Sequence, residues 1–248
     1  TVSEGVMEYV KDRIVMAINN KIYEFAPSAT ALPSPVYTHA DTDIVFTDVT
    51  ASGTAIYISA FSGIQSTIFK FTLSTSTGSM PSLTSAITAA EMPAGEKIYA
   101  IRYYLGYMLI GTSKGIRVAT VDDNGSITYG PLMVETTQPC YDFAFRDRFA
   151  WAATGVAGEG GVIRIDLGND LGGLRFAYAN DLWLDNGNTA HKTTSLAFNG
   201  ETDRLTFVTT ATSSASGSIN IESSGALMPD GYITTGYIRY NTLEPKNS

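Results

Sequence analysis

The chain has 248 residues, of which 44% are hydrophobic and only 16% charged, and it carries a net charge of −8. That balance describes a folded globular chain, and it excludes both the basic stripe that nucleic-acid binding needs and attraction to an anionic membrane surface. Thr, Ser, Gly and Ala take much of the surface share usually held by Lys and Glu, which suits strands and tight turns better than helices.

In chain order, the first unit is "MEYVKDRIVMAINNKIYEF" from Met7: an apolar strand, a Lys-Asp-Arg turn, a second apolar strand, an Asn-Asn turn and an alternating strand. Related units begin at Asp43 ("DIVFTDVTASGTAIYISAFSGIQSTIFKFTL") and at Lys97 ("KIYAIRYYLGYMLIGTSKGIRVATVD"). The clearest repeats of the first unit follow, at Tyr141 ("YDFAFRDRFAWAATGVAGEGGVIRIDL") and at Ser195 ("SLAFNGETDRLTFVTTATSSASGSINIES"). A fourth alternating segment trails each unit: "SPVYTHA", "LTSAITAA", "SITYGPLMV", "LRFAYANDLWL" and "GYITTGYIRYN".

Starts at 7, 43, 97, 141 and 195 give a mean period of 47 residues. Four short strands at a period in the forties predict a propeller blade. No window sustains the 3.6-residue apolar period of a helix. The expected fold is therefore all-β, a β-propeller with five four-stranded blades visible, at about 1–40, 41–92, 93–136, 137–186 and 187–240. Such a set could also be part of a larger ring. Residues 241–248, with Pro245, read as a linker to a further domain, and a start at Thr1 reads as a processed or excised piece.

A single cysteine, Cys140, excludes an intrachain disulfide and a thiolate metal site; behind Pro139 it reads as a buried inert thiol. No run approaches the ~18 apolar residues of a membrane span. Three Asp-Arg pairs, Asp12-Arg13, Asp147-Arg148 and Asp203-Arg204, fall in the first hairpin of their blades, on one rim of the disc. They are the candidate rim contacts, although Asp is also a natural turn residue and Arg a cover for a strand edge. Trp183, on an outer strand leading into an Asn/Asp/Gly loop, is the aromatic expected to be exposed, whereas Trp151 in mid-strand reads as core.

Reactive constellations are scarce. "VDDNGSITYG" around Asp122 and Asp123 lacks the spacing and distant Glu of a calcium loop, and "TGVAGEGGV" lacks the Lys-Ser/Thr and helix of a phosphate loop. Both read as hairpin tips. His39 and His191, each expected in a polar loop, accompany no nucleophile and have no ligand spacing. A glycosidase needs two channel carboxylates about 5–9 Å apart, and Asp43, Asp48 and Asp142 lie on or beside predicted innermost strands. No cofactor or metal is expected.

The closing stretch "GYITTGYIRYNTLEPKNS" carries a resemblance. Gly236, Ile238, Tyr240, Thr242, Leu243, Glu244, Pro245 and Lys246 meet a G-x-I-x-[YF]-x-T-L-E-P-K pattern. That pattern resembles minor tail or virion-associated proteins of tailed bacteriophages that infect actinobacteria. "KDRIVMAINNKIYEF" and "IGTSKGIRVATVDDNGSITYGPLMV" are similar to blades of the same proteins. The resemblance implies a non-enzymatic module of a tail tip or baseplate, located in the virion and active in assembly or host-surface recognition. Its partners would be other tail proteins, further copies in a homo-multimer and a host-surface polysaccharide, with neither nucleic acid nor membrane insertion. A free glycan-binding propeller and a five-bladed glycoside hydrolase stand as alternatives.

Overall fold

The computed structural model describes residues 5–10, 12–53, 55–72, 86–154, 161–183, 191–211, 217–223 and 225. It is a β-propeller of five antiparallel blades. The first blade holds β1 (Gly5–Val10), β2 (Arg13–Ile18), β3 (Lys21–Phe25) and β4 (Tyr37–Thr38). The second holds β5 (Val45–Ser52), β6 (Ala55–Ser62), β7 (Gln65–Thr72) and β8 (Ile87–Glu91). The third runs through β9 (Ile98–Tyr104), β10 (Tyr107–Thr112), β11 (Gly115–Val121) and β12 (Ile127–Glu135). The fourth comprises β13 (Asp142–Arg146), β14 (Phe149–Thr154), β15 (Gly161–Asp170) and β16 (Phe176–Trp183). The fifth shows three strands among the described residues, β17 (His191–Phe198), β18 (Leu205–Ala211) and β19 (Gly217–Ile221). The strand expected at 231–240 and the linker at 241–248 lie outside the described residues.

Each blade pairs its strands in sequence order, as hairpins dictate. The turn between β9 and β10 shows the local rule at work: Leu105 (φ 49°) and Gly106 (φ 87°) both take left-handed backbone, which matches the twist of the flanking strands. Gly115, which opens β11, is obligatory for a different reason. A Cβ there would fall 1.9 Å from the Val134 carbonyl oxygen of β12.

Apolar residues on both faces of the inner strands fill the seams between blades. Val15, Ala17, Phe46, Ile56 and Ile58 join the first blade to the second. Tyr57, Ile68, Ile101, Met108 and Ile110 join the second to the third. Leu109, Val118, Ala152, Ile163 and Phe176 join the third to the fourth. Trp151, Leu196, Leu205 and Phe207 join the fourth to the fifth. Burying an aliphatic or aromatic side chain there contributes about 1.5–3 kcal/mol. Innermost strands lie side by side in succession, β1 with β5, β5 with β9, β9 with β13 and β13 with β17, so their mid-strand side chains meet at the channel.

Candidate functional site

The innermost strands are mostly apolar, and each of the first four carries a charged residue that interacts with the others through Arg102: Glu8 on β1, Asp48 on β5, Arg102 on β9 and Asp142 on β13. β5 has a bulge at Thr47, immediately before Asp48, and β17 has one at Thr194, immediately before Ser195. A bulge re-aims the side chains beside it. Here both residues that follow one reach the neighbouring blade.

Asp48 Oδ2 accepts the Ile101 amide at 2.8 Å and pairs with the Arg102 guanidinium. Arg102 Nη1 also donates to its neighbour's carbonyl, Ile101 O, at 2.8 Å, and Nη2 approaches Asp142 Oδ1 at 3.4 Å. Asp142 then repeats the move of Asp48 two blades further on. Its Oδ2 accepts the Ser195 hydroxyl and the Leu196 amide, both at 3.0 Å, while Oδ1 accepts the Phe143 amide at 2.8 Å. Twice, therefore, a carboxylate on one inner strand caps an amide of the next, and Arg102 links the two clasps. Charge-assisted bonds of this kind are worth about 1.5–3 kcal/mol each.

Three carboxylates share one guanidinium, and the electrostatics reflect it. Burial pushes the Asp48 carboxyl up to about 6; Arg102 and the amides of Ile101 and Val49 pull it down by less, and Asp142 adds to the rise. Glu8 is likewise raised by burial against the pull of Arg102. Burial works against the Arg102 charge, but Asp48, Asp142 and Glu8 outweigh it and hold the guanidinium protonated. Cys140, fully buried beside Asp142, has its thiol pushed well up, as expected of an inert cysteine. Of the three acids expected near the channel, Asp48 and Asp142 reach it. Asp43 does not: it sits in an exposed turn before β5, its amide bonded to Asp41 Oδ1.

The rim candidates occupy the hairpins between the first two strands of their blades. Asp12, Asp147 and Asp203 all take left-handed backbone, at φ 63°, 54° and 52°, which is a turn role. Several of them are tied to partners within the blade or in the preceding one. Arg13 pairs with Glu24, Asp12 Oδ1 accepts the Tyr9 hydroxyl at 2.9 Å, and Arg148 pairs with Asp166 at 3.1 Å. Asp203 is held by Arg146, which donates to its carbonyl at 2.6 Å and pairs with its carboxylate at 3.3 Å. Asp147 offers its carbonyl to the Tyr104 hydroxyl at 2.7 Å, and the Asn199 amide donates to the Arg204 carbonyl at 2.9 Å, closing that loop.

Trp183 ends β16 opposite Gly161, and its side chain lies outside the described residues. Trp151 is core, 3% exposed, with its indole N–H on Asp181 at 2.7 Å. His39 is in the expected loop, whereas His191 corrects the expectation: it opens strand β17, because the antiparallel ladder with β18 begins at the His191–Ala211 pair and draws the polar residues 191–195 into the strand. The Asp122–Gly125 stretch is a hairpin tip, closed by Asp122 Oδ1 on the Ser126 amide at 2.7 Å. Residues 155–160 of "TGVAGEGGV" lie outside the described residues, between β14 and β15. Among the described residues no group of His, Cys, Asp and Glu could hold a metal ion.

Sequence reasoning missed Glu8 and Arg102. The available signal was a lone charge in the interior of an otherwise apolar innermost strand, as in "YAIRYY". It also missed the buried pair of Glu96 and Arg117.

No protein-family model matches the chain, and no curated protein matches it. Its fold is similar to several solved structures. Luciferin-regenerating enzyme aligns at a TM-score of 0.54 and 11% identity, over 84% of this chain and 69% of that one. A chain of the mitotic checkpoint complex gives 0.54 and 11%, over 84% and 62%. YCF48 bound to D1 peptide gives 0.51 and 12%, over 84% and 60%. At these identities the likeness is one of fold alone. None of the three is a phage tail protein.

Proposed function

We propose that this chain is a non-enzymatic interaction module of a bacteriophage tail, serving assembly or host-surface recognition at the tail tip or baseplate. The propeller fold suits an interaction module. The observation that carries the non-enzymatic reading is the commitment of both channel aspartates: each accepts an amide of the next blade and faces Arg102, so neither is left free for a substrate. The phage assignment rests on the resemblance of the closing stretch. The partners are other tail proteins, further copies of the chain and a host-surface polysaccharide, in an extracellular virion.

The test has two arms. An antibody against the chain should label the tail end of particles of the phage that encodes it, in negative stain; label confined to heads or absent from particles removes the tail reading. Incubation with a panel of bacterial surface polysaccharides should release no reducing ends.

One observation favours a second reading, a carbohydrate-active enzyme. Asp48, raised to about 6, is the kind of carboxyl that stays protonated for general-acid work, and Asp142 lies across Arg102 from it. Hydrolysis of any glycan that disappears in both Asp48→Asn and Asp142→Asn would establish that reading in place of the first.

A further inference from the structure

The end of the propeller opposite the Asp-Arg hairpins carries a run of rings and ammonium groups that crosses four blades. Phe61 lies near the end of β6, Tyr99 near the start of β9, Tyr141 just before β13 and Lys192 near the start of β17, while Lys97 immediately precedes β9. The Lys97 ammonium lies over two rings, 5.4 Å from the centroid of Phe61 and 5.0 Å from that of Tyr99. Tyr99 meets Tyr141 edge to face at 5.2 Å, and the Lys192 ammonium lies 6.0 Å from the centre of the Tyr141 ring. All five residues are half-buried, so each keeps part of its surface in solvent.

The charge of this run is out of keeping with the chain. The net charge is −8, yet among the described residues neither lysine pairs with a carboxylate. Two acids at the same end are engaged elsewhere. Asp41 takes the Ser62 hydroxyl and the Asp43 amide, both at 2.9 Å, and Glu96, next to Lys97 in the chain, is held by Arg117. An ammonium attracts an anion, and the electron-rich face of a ring attracts polarised C–H groups. An acidic sugar presents both on one unit, a carboxylate and the C–H face of a pyranose.

We propose that this run binds a polysaccharide of uronic-acid units, with sugar carboxylates on Lys97 and Lys192 and pyranose faces on Tyr99 and Tyr141. The inference rests on the polysaccharide partner proposed above, and gives that partner a chemical class and a place on the fold. The order of contacts, Phe61, Lys97, Tyr99, Tyr141, Lys192, lays the polymer across the second to the fifth blades. The bulk charge of the chain repels a polyanion, so the attraction is confined to this end of the propeller and weakens as salt is raised.

Fluorescence anisotropy of labelled tetragalacturonate, titrated with the full chain, tests it. Binding should saturate with a Kd below about 1 mM in dilute salt. Maltotetraose, which lacks the charge, and a tetraglutamate peptide, which lacks the pyranose face, should each compete at least tenfold more weakly than unlabelled tetragalacturonate. Lys97→Gln should weaken binding at least fivefold, whereas Lys21→Gln, which removes an equal charge from an exposed position on the first blade, should leave it within twofold. No saturable binding, equal competition by either control, an unchanged affinity in Lys97→Gln or an equal loss in Lys21→Gln overturns the proposal. If Lys97→Gln does not fold, acetylation of the wild-type lysines decides. Saturating tetragalacturonate should slow Lys97 and Lys192 at least threefold and leave Lys21 unchanged, and equal rates overturn it. Because the purified chain is titrated in solution, a null result here leaves the tail assignment to its antibody test, and failure of that test leaves this site standing.

Discussion

Two buried ionic sites lie within one blade of each other, and burial acts on them in opposite ways. In the third blade Arg117 grips Glu96 with both ends of its fork, Nε to Oε1 and Nη2 to Oε2, each at 2.8 Å. Thr112 donates to Oε1 at 2.8 Å, and the spare Arg117 nitrogen reaches the Gly130 carbonyl at 3.1 Å. Burial raises Glu96, but these bonds overcome it and leave the carboxyl below its ordinary value. At the axis Arg102 must serve Asp48, Asp142 and Glu8, and burial wins at Asp48. The lesson is a balance between burial and bonding. At Glu96 a two-pronged guanidinium and a hydroxyl outweigh burial, whereas at Asp48 burial outweighs a guanidinium that it shares with two other carboxylates.

Breaking the one-to-one pair should cost most. Arg117→Met strands Glu96 and should destabilise the chain by about 3–5 kcal/mol in urea denaturation at pH 7. A loss below about 1 kcal/mol would show that the pair is not what holds the third blade. The next effect is a slope rather than a loss. Because Asp48 titrates near 6 in the folded chain and near 3.8 unfolded, its contribution is fully present below about pH 4 and is lost as pH rises through about 6. That window is worth about 3 kcal/mol, and Asp48→Asn should abolish it in a pH series of urea melts. Glu96 has the opposite sign: its contribution is present above its ordinary value and lost only as pH falls through the lowered one.

Thr112→Val removes one donor from Glu96 while keeping Arg117, and should cost about 1–2 kcal/mol at pH 7. The smallest expected effect has the reverse direction. Glu8→Gln lightens the crowded axis and should stabilise the chain at pH 8 by less than about 1 kcal/mol, with no gain at pH 5. Destabilisation at pH 8 would mean that Glu8 is needed as a partner for Arg102 more than it is tolerated.

Much of this architecture was legible beforehand, because a blade is a local object. Alternation, Asp and Gly in the turns and a period near 47 residues carry through to five antiparallel sheets. Trp151 was readable as core from its place in an apolar strand. The axial site was half legible: Asp48 and Asp142 could be placed on inner strands, but nothing in "TDVT" or "YDFAF" says that each will cap an amide more than fifty residues away. The Asp-Arg pairs show the converse, a repeated motif that does not act as one: Arg13 and Arg148 pair within their own blades, and Asp203 pairs with Arg146 of the preceding blade.

What the sequence determined by itself is the blade, since strand, turn and register depend on neighbours within a few dozen residues. What only the tertiary structure decided is which charges meet. Packing the blades together brings residues 8, 48, 102 and 142 into one cluster, and the burial of Asp48 there, which outweighs the pull of Arg102 and is invisible in any single blade, raises its carboxyl.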